Sequence, residues 1–559
     1  MTENATPTVP RDDRPARSPE FGLGLLCFLV ALAVRCLGLT WGLPDATRWY
    51  SYHPDESPHQ IVGALVSLLQ GSADPHFFNY PSLSIYLSYL IYLAMGALRL
   101  TSDANAVTYP WPVIHDLILA GRVLSALTGA GCAWLGFTIG GRLGGRNSGF
   151  LAGVLMALLP GLVQHSHFAT VDVPTCFFVL LCLELTGRAT TPKLLLWAAA
   201  AAGAAAATKY NGALVLAAPI TALWFLPAAV APPKKGRAVL SLLLVAIAVF
   251  FVGCPYALIS PHEFWNGGFA YELFVHPHEG SGEIFQGTGN GWWYHLTYNL
   301  PFVMTWPVLL GGFAGLYLLS RNHEKRPLLI PQAVFFGLYL FTLGFSQVRY
   351  MRYTLPLAVL LAIWAGTLPG LRGQFRAGKP WKFTAAAVLA VFAALGTLNV
   401  LWPLTHEDPR DQAMSSLCTR SWNEPQFATG GANGAPIEVG LLNQPWFYTP
   451  PFVPLDHIDS RGQQFETTTS VNFIPRVVSI DDWLNATSAP PDRLVYSDFE
   501  IRDLQRLHPG QAAQLEALFA KNYGHQAVFV NTSPLLLPGR DFVPHDYLYP
   551  NPTITLLEK

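Results

Sequence analysis

His53, Pro54, Asp55 and Glu56 follow one another as "HPDE", a few residues after the chain leaves its first long apolar run. A carboxylate in such a turn can take the proton of a hydroxyl nucleophile as bond making begins. Another acid, Asp172, stands in "QHSHFATVDVP" beside His165 and His167, at the entrance to another apolar run. Cations occupy comparable positions: Lys209 next to Tyr210 in "ATKYNG", and Arg349 and Arg352 in "QVRYMRY". Such groups can neutralise a phosphate, and arginine adds a planar two-pronged fork. Each has a plainer reading beside it. Asp-Glu pairs are commonly solvated, Asp172 can cap the helix that follows, and arginines at a span end can snorkel to lipid headgroups.

The elements that must position these residues are read from hydropathy. Of 559 residues, 51% are apolar and 12% charged, about half the charged share of soluble proteins. The net charge of −1 argues neither for nucleic acid nor for an acidic partner, so the distribution of charge is what informs. Runs long enough to cross about 30 Å of hydrocarbon recur through the first 404 residues. The clearest are Val239–Ile259, Leu296–Ser320, Pro327–Phe345, Tyr353–Gly370 and Phe383–Leu404, and less clean ones cover 21–43, 116–140, 148–164, 173–187, 194–208 and 211–230. About eleven spans are expected. Ser82–Leu100 could also cross, but then Arg142/Arg146, Arg188/Lys193, Lys234/Lys235/Arg237, Arg321/Lys325/Arg326 and Arg372/Arg376/Lys379/Lys382 would all lie outside, against the positive-inside rule. The segment is therefore read as an interfacial helix.

This topology makes residues 1–20 a disordered cytoplasmic tail and 21–404 a membrane domain with outer loops 44–115, 164–173 and 260–295. Residues 405–559 then form an extracytoplasmic α/β domain, with strand-like "IEVGLL", "RLVYSDF", "QAVFVN" and "ITLLEK" and a helical "GQAAQLEALFAKNYG". His53, Asp55, Glu56, His165, His167, Asp172, Lys209, Tyr210, Arg349 and Arg352 then all fall on the outer face. The largest outer loop adds His276, His278 and Glu279 as candidate metal ligands, although their spacing matches no specific motif. Arg35 and Arg122 lie inside apolar runs, where an unpaired cation costs a few kcal/mol. A loop carboxylate or a bound phosphate is the expected partner. Seven cysteines, six of them in apolar stretches, imply no disulfide framework.

"HPDE", the interfacial "YPSLSIYL", "AGRVLSAL", "GLVQHSHFATVDVPTCFFVL", "ATKYNG" and "RYMRYTLPLAVLLA", followed by an outer domain, occur in an order that resembles the GT-C membrane glycosyltransferases. The likeness is to the polyprenyl-phosphate-sugar-dependent group, which includes protein O-mannosyltransferases and aminoarabinose transferases. It implies an inner-membrane enzyme with a cytoplasmic N-terminus and an inverting transfer at the outer face. The donor would be a polyprenyl-phosphate sugar and the acceptor a lipid, protein or glycan. Asp55 matches the candidate general base, Glu56 its acidic neighbour, and Asp172 a residue that binds the acceptor or orients a cation or the base. Lys209, Arg349 and Arg352 match basic residues that hold the lipid phosphate, with His53, Arg35, Arg122, His167 and Tyr210 as further substrate-binding candidates. The transfer it implies is metal-independent or metal-assisted, with no certain cofactor and a divalent cation left open. Where related chains read Lys-Pro-Pro before the interfacial helix, this one reads "NYPSL", so no role passes from that lysine. Two other classes stay open: a ligase or polymerase using a diphosphate donor, and a transporter or flippase. The latter predicts charges at mid-membrane depth and broken helices in paired halves.

Overall fold

A computed structural model describes residues 19–45, 48, 50–57, 60–102, 111–370, 380–422, 437–444, 446–451, 473–533 and 543–559. Most of the expected N-terminal tail, and Arg372, Arg376 and Lys379, lie outside the described residues.

Among these, five helices are long and apolar enough to cross a membrane: Trp111–Gly144, Lys235–Gly253, His323–Phe345, Met351–Gly370 and Phe383–Leu417. A sixth span is added if Gly291–Met304 and Trp306–Ser320, bent by 112° at Thr305, count as one. The chain is thus an integral, multi-pass membrane protein, but with five or six qualifying helices where eleven spans were expected. The other apolar runs fold as shorter pieces. Residues 148–164 become Arg146–Ala157 and Pro160–His165, while 173–187 and 194–208 become the 17-residue helices Asp172–Arg188 and Pro192–Thr208. At 1.5 Å per residue a 17-residue helix is about 26 Å long, short of a full hydrocarbon crossing. Leu83–Ala97, at 15 residues, is shorter again and buries Ser84, Ile85, Ser88 and Tyr92 while leaving Leu90 and Leu93 exposed.

The helices share one apolar core, with Trp364 fully buried and its indole N–H donating to Gln332 Oε1 at 3.0 Å. Small residues let backbones meet, as is usual between membrane helices. Gly315 sits so close to the Trp364 carbonyl that a Cβ there would lie 2.0 Å from the oxygen. Arg35 sits in this core without a carboxylate. It donates to the carbonyls of Ala31, Ala157 and Met156 and to Ser166 Oγ. The helix Arg146–Ala157 stops just before Pro160, leaving terminal carbonyls unpaired, and Arg35 covers two of them. The expected carboxylate or phosphate partner is replaced by backbone.

Beyond the helices lies a five-stranded mixed sheet: β1 (Ile437–Leu441), β2 (Phe473–Val477), β3 (Arg493–Ser497), β4 (His525–Phe529) and β5 (Ile554–Glu558). The order is β2-β1-β3-β5-β4, with β1 parallel to β2 and β3, and β5 antiparallel to β3 and β4. The four strand-like runs and the helix (Pro509–Asn522) expected from sequence are present, and β2 is added to them. The helix Pro409–Trp422 seats this unit against the segment that follows the first apolar helix. There the buried Arg410 pairs with Asp408 at 2.7 Å and donates to the Phe447 and Tyr549 carbonyls, and Trp41 donates to Asp408.

Candidate active site

The "HPDE" turn is a single 3-10 turn, Pro54–Glu56. Pro54 occupies its first position, where a missing N–H leaves nothing unsatisfied. His53 caps it, with Nδ1 accepting from the Asp55 N–H at 3.2 Å. Burial holds the His53 imidazole well below its ordinary pKa, so it stands neutral. Since Nδ1 accepts, the proton belongs on Nε2, which is buried and has no partner. The ring lies against Phe168, 4.2 Å between centroids, and Tyr549, 5.2 Å.

Asp55 Oδ2 is 3.3 Å from Arg352 Nη2. The pair lies within ionic reach but is not aligned as a hydrogen bond, so this buried oxygen accepts none. Arg352 stands in the 3-10 turn Met351–Thr354, its guanidinium 4.2 Å above the Tyr350 ring. Its Nε is 3.9 Å from Asp172 Oδ2 and its Nη1 is 3.8 Å from Asp546 Oδ2, and neither nitrogen makes a hydrogen bond. Asp172 opens the helix Asp172–Arg188 but does not cap it. Its Oδ1 instead accepts from Lys209 Nζ at 2.6 Å. Lys209, where Pro192–Thr208 ends, also lies 4.2 Å from the Tyr353 ring centroid. Three carboxylates and two cations thus converge from five separate stretches of chain, leaving donors and an acceptor open.

The neighbouring acid behaves differently. Glu56 takes both prongs of Arg122 (Nε to Oε1 2.9 Å, Nη2 to Oε2 2.7 Å), the Ala169 N–H at 2.6 Å and the Ser51 hydroxyl. Burial opposes its ionisation, yet the Arg122 guanidinium holds the carboxyl below the ordinary glutamate range. Arg122 also donates to the Leu39 and Trp41 carbonyls. This pair fastens the N-terminal half of Trp111–Gly144 to the segment carrying the "HPDE" turn and has no free valence for substrate.

Several sequence candidates are likewise engaged elsewhere. His167 has both ring nitrogens 2.8 Å from carbonyls, of Val163 and Leu37. Tyr210 donates to the Phe78 carbonyl at 2.7 Å. Arg349 donates to Thr288 Oγ1 at 2.7 Å and the Gly289 carbonyl at 2.8 Å, bracing the loop 260–295. The expected metal ligands His276, His278 and Glu279 do not come together. His276 instead faces Glu272 at 3.2 Å and stacks on Tyr271. Among the described residues the one group of three with ligand-type atoms within 4.8 Å is Asp74, His76 and Glu263.

Sequence reasoning missed Asp546. It lies in "PHDYLYP", in the turn before β5, is fully buried, and accepts from the backbone N–H groups of Met351 and Arg352 at 3.0 Å each. Burial raises its carboxyl above the ordinary aspartate range, against the pull of Arg352. His165, also fully buried, has its Nε2 3.9 Å from Asp546 and neither nitrogen hydrogen-bonded. Nothing local in the sequence distinguishes Asp546 from a surface aspartate.

Residues 111–256, which include Arg122, Asp172 and Lys209, match the family described as dolichyl-phosphate-mannose-protein mannosyltransferase. No curated protein matches the chain. Among solved structures, the fold matches ArnT from Cupriavidus metallidurans in the apo state, with 14% identity, a TM-score of 0.50, and 96% of this chain and 98% of that one covered. ArnT from the same organism bound to undecaprenyl phosphate gives 14% identity and a TM-score of 0.47 over 96% and 98% of the two chains. The oligosaccharyltransferase AglB from Archaeoglobus fulgidus, in complex with an inhibitory peptide and a dolichol-phosphate, gives 12% identity and 0.47 over 96% and 77%.

Proposed function

We propose that this chain, a GT-C-type membrane glycosyltransferase carrying a segment of the mannosyltransferase family, moves a sugar from a polyprenyl monophosphate to an acceptor hydroxyl, with Asp55 as the general base. The observation that carries this reading is the open pair. A buried carboxylate oxygen with no hydrogen-bond donor lies 3.3 Å from a guanidinium with two unused nitrogens. Buried polar atoms are nearly always satisfied, and here an unfilled acceptor and two unfilled donors lie together, where an acceptor hydroxyl and an anionic oxygen would fit. The family description names a dolichyl-phosphate-linked mannose and a protein acceptor; what carries over is the leaving group, a lipid phosphate.

In the transfer, the acceptor oxygen attacks the anomeric carbon as its proton passes to Asp55. The bond from that carbon to the phosphate oxygen breaks on the opposite side, inverting the anomeric configuration. The electron pair leaves with the lipid phosphate, and the charge it gains is stabilised by Arg352 and Lys209. Asp172 holds the Lys209 ammonium in place. Glu56 and Arg122 position the turn that carries Asp55 and take no part in bond making. Because the donor is tethered to the bilayer, the centre belongs at the end of a helical bundle, beside an apolar groove for the polyprenyl tail. On this reading the N-terminus is cytoplasmic, residues 405–559 lie outside, and the reaction occurs at the outer face of the inner membrane.

The test is transfer of labelled sugar from polyprenyl phosphate in membranes holding the wild-type chain or Asp55→Asn. The variant is expected to lose about 10²–10⁴-fold in rate while still binding donor. A wild-type rate in the variant would refute the base assignment.

A further inference from the structure

The sheet unit is fastened to the membrane helices at the point where the donor phosphate is proposed to bind, and the fastening is Asp546. Its carboxylate does not grip the Arg352 side chain. Both its oxygens are taken by the peptide N–H groups of Met351 and Arg352, at 3.0 Å each. These N–H groups open the 3-10 turn Met351–Thr354, where an N-terminal donor has no partner within the turn. Tyr350, at the cap position, has a side chain that makes no capping bond. Asp546 therefore caps the turn from nearly two hundred residues downstream.

The segment that carries Asp546 is itself held from several sides. The Asp546 carbonyl accepts from Gln164 Nε2 at 3.0 Å, and the Tyr547 hydroxyl accepts from Asn399 Nδ2 at 2.7 Å. His545 and Tyr549 pack on each other and on Phe499, which opens onto the sheet. Capping by the backbone route has a consequence for the guanidinium. A carboxylate hydrogen-bonded to the guanidinium would occupy its N–H groups, whereas Asp546 stands 3.8 Å from Nη1, and both Nη1 and Nε stay unbonded. The turn is fixed while its functional end stays available to an anionic oxygen.

We propose that Asp546 is a positioning residue for donor recognition: by capping the Met351–Thr354 turn it holds Arg352 with two free donors beside Asp55, so that the sheet unit completes the phosphate site. This rests on the reading of Arg352 as a phosphate ligand.

The test uses the full-length protein in membranes and compares Asp546→Ala, Asp546→Asn, Arg352→Ala and the Asp546→Ala/Arg352→Ala double variant. Donor KM, kcat and direct binding of polyprenyl phosphate are the readouts. Losing two charge-assisted bonds to the turn is expected to raise donor KM in Asp546→Ala about tenfold to a hundredfold, with a smaller change in kcat. The asparagine retains one acceptor oxygen and should fall between Asp546→Ala and wild type. In the Arg352→Ala background the alanine should add almost nothing, because residues acting through one group are not additive.

An Asp546→Ala donor KM within about twofold of wild type, or an effect that adds in full to that of Arg352→Ala, overturns the proposal. If the alanine variant does not accumulate, Asp546→Asn carries the same comparison with and without Arg352. Failure of the donor reading itself looks different: wild-type protein would neither bind polyprenyl phosphate nor transfer sugar from it, and the proposal would fall with that reading.

Discussion

Asp55 and Glu56 are adjacent, both buried and both paired with an arginine, yet one pair is closed and the other open. Glu56 and Arg122 meet as two parallel forks, with a backbone N–H and a serine hydroxyl filling the remaining lone pairs. Asp55 and Arg352 meet at one loose contact of 3.3 Å, with an acceptor and two donors unfilled. The number of bonds already made, more than the charge or the depth of burial, separates an acid that holds the fold from one able to work on a substrate.

The widest separation between the pairs should come from conservative amides. Asp55→Asn is expected to abolish most of the rate, about 10²–10⁴-fold, and leave thermal unfolding in detergent near wild type. Glu56→Gln should do the reverse. It strands Arg122 in a buried site, at a cost of about 3–5 kcal/mol, while whatever folds still transfers sugar. If the two variants exchanged phenotypes, the distinction drawn here would be lost.

A half-buried acid of the sheet unit sharpens the contrast, because its bonds come from a capping box. Glu500 accepts from the Ser497 N–H at 2.7 Å in a capping box before the helix Asp498–Leu507, and burial raises its carboxyl to about 7. Between about pH 4.5 and 7 the folded sheet unit therefore holds a proton that the unfolded chain has lost. Stability falls as pH rises through that window, by no more than about 3 kcal/mol. Glu500→Gln should flatten the slope, read by hydrogen exchange in β3 and β5 after correction for intrinsic rates. Glu56, lowered by its arginine, loses its contribution in the opposite direction, as pH falls below the ordinary glutamate range.

Legibility in the sequence followed the range of the interactions. The "HPDE" turn was readable because Pro54 and the two acids are contiguous, and Lys209 with Asp172 because each stands where an apolar run begins or ends. The roles of Asp55 and Glu56 could not be separated, since the partners that separate them lie 66 and 113 residues from Glu56. Arg35 was assigned an acid or a phosphate because carbonyls left bare by a helix break at Pro160 leave no compositional trace. His276 and His278 looked like ligands from proximity in sequence, but the helical turn sends His276 to Glu272. Hydropathy counted apolar runs faithfully yet could not see them interrupted at Pro160 or bent by 112° at Thr305. Asp546 was invisible because what it binds is main chain.

The position of Asp546 in the chain also sets an order of events during biosynthesis. Every long apolar helix precedes it, and β5, eight residues further on, must pair with β3 and β4 to seat the turn that carries it. A nascent polypeptide can therefore have its helices fully inserted in the bilayer and still be inert. On the proposed reading, activity would begin only once the sheet has folded and docked on the inserted helices, so that a half-built enzyme does not engage the lipid-linked sugar.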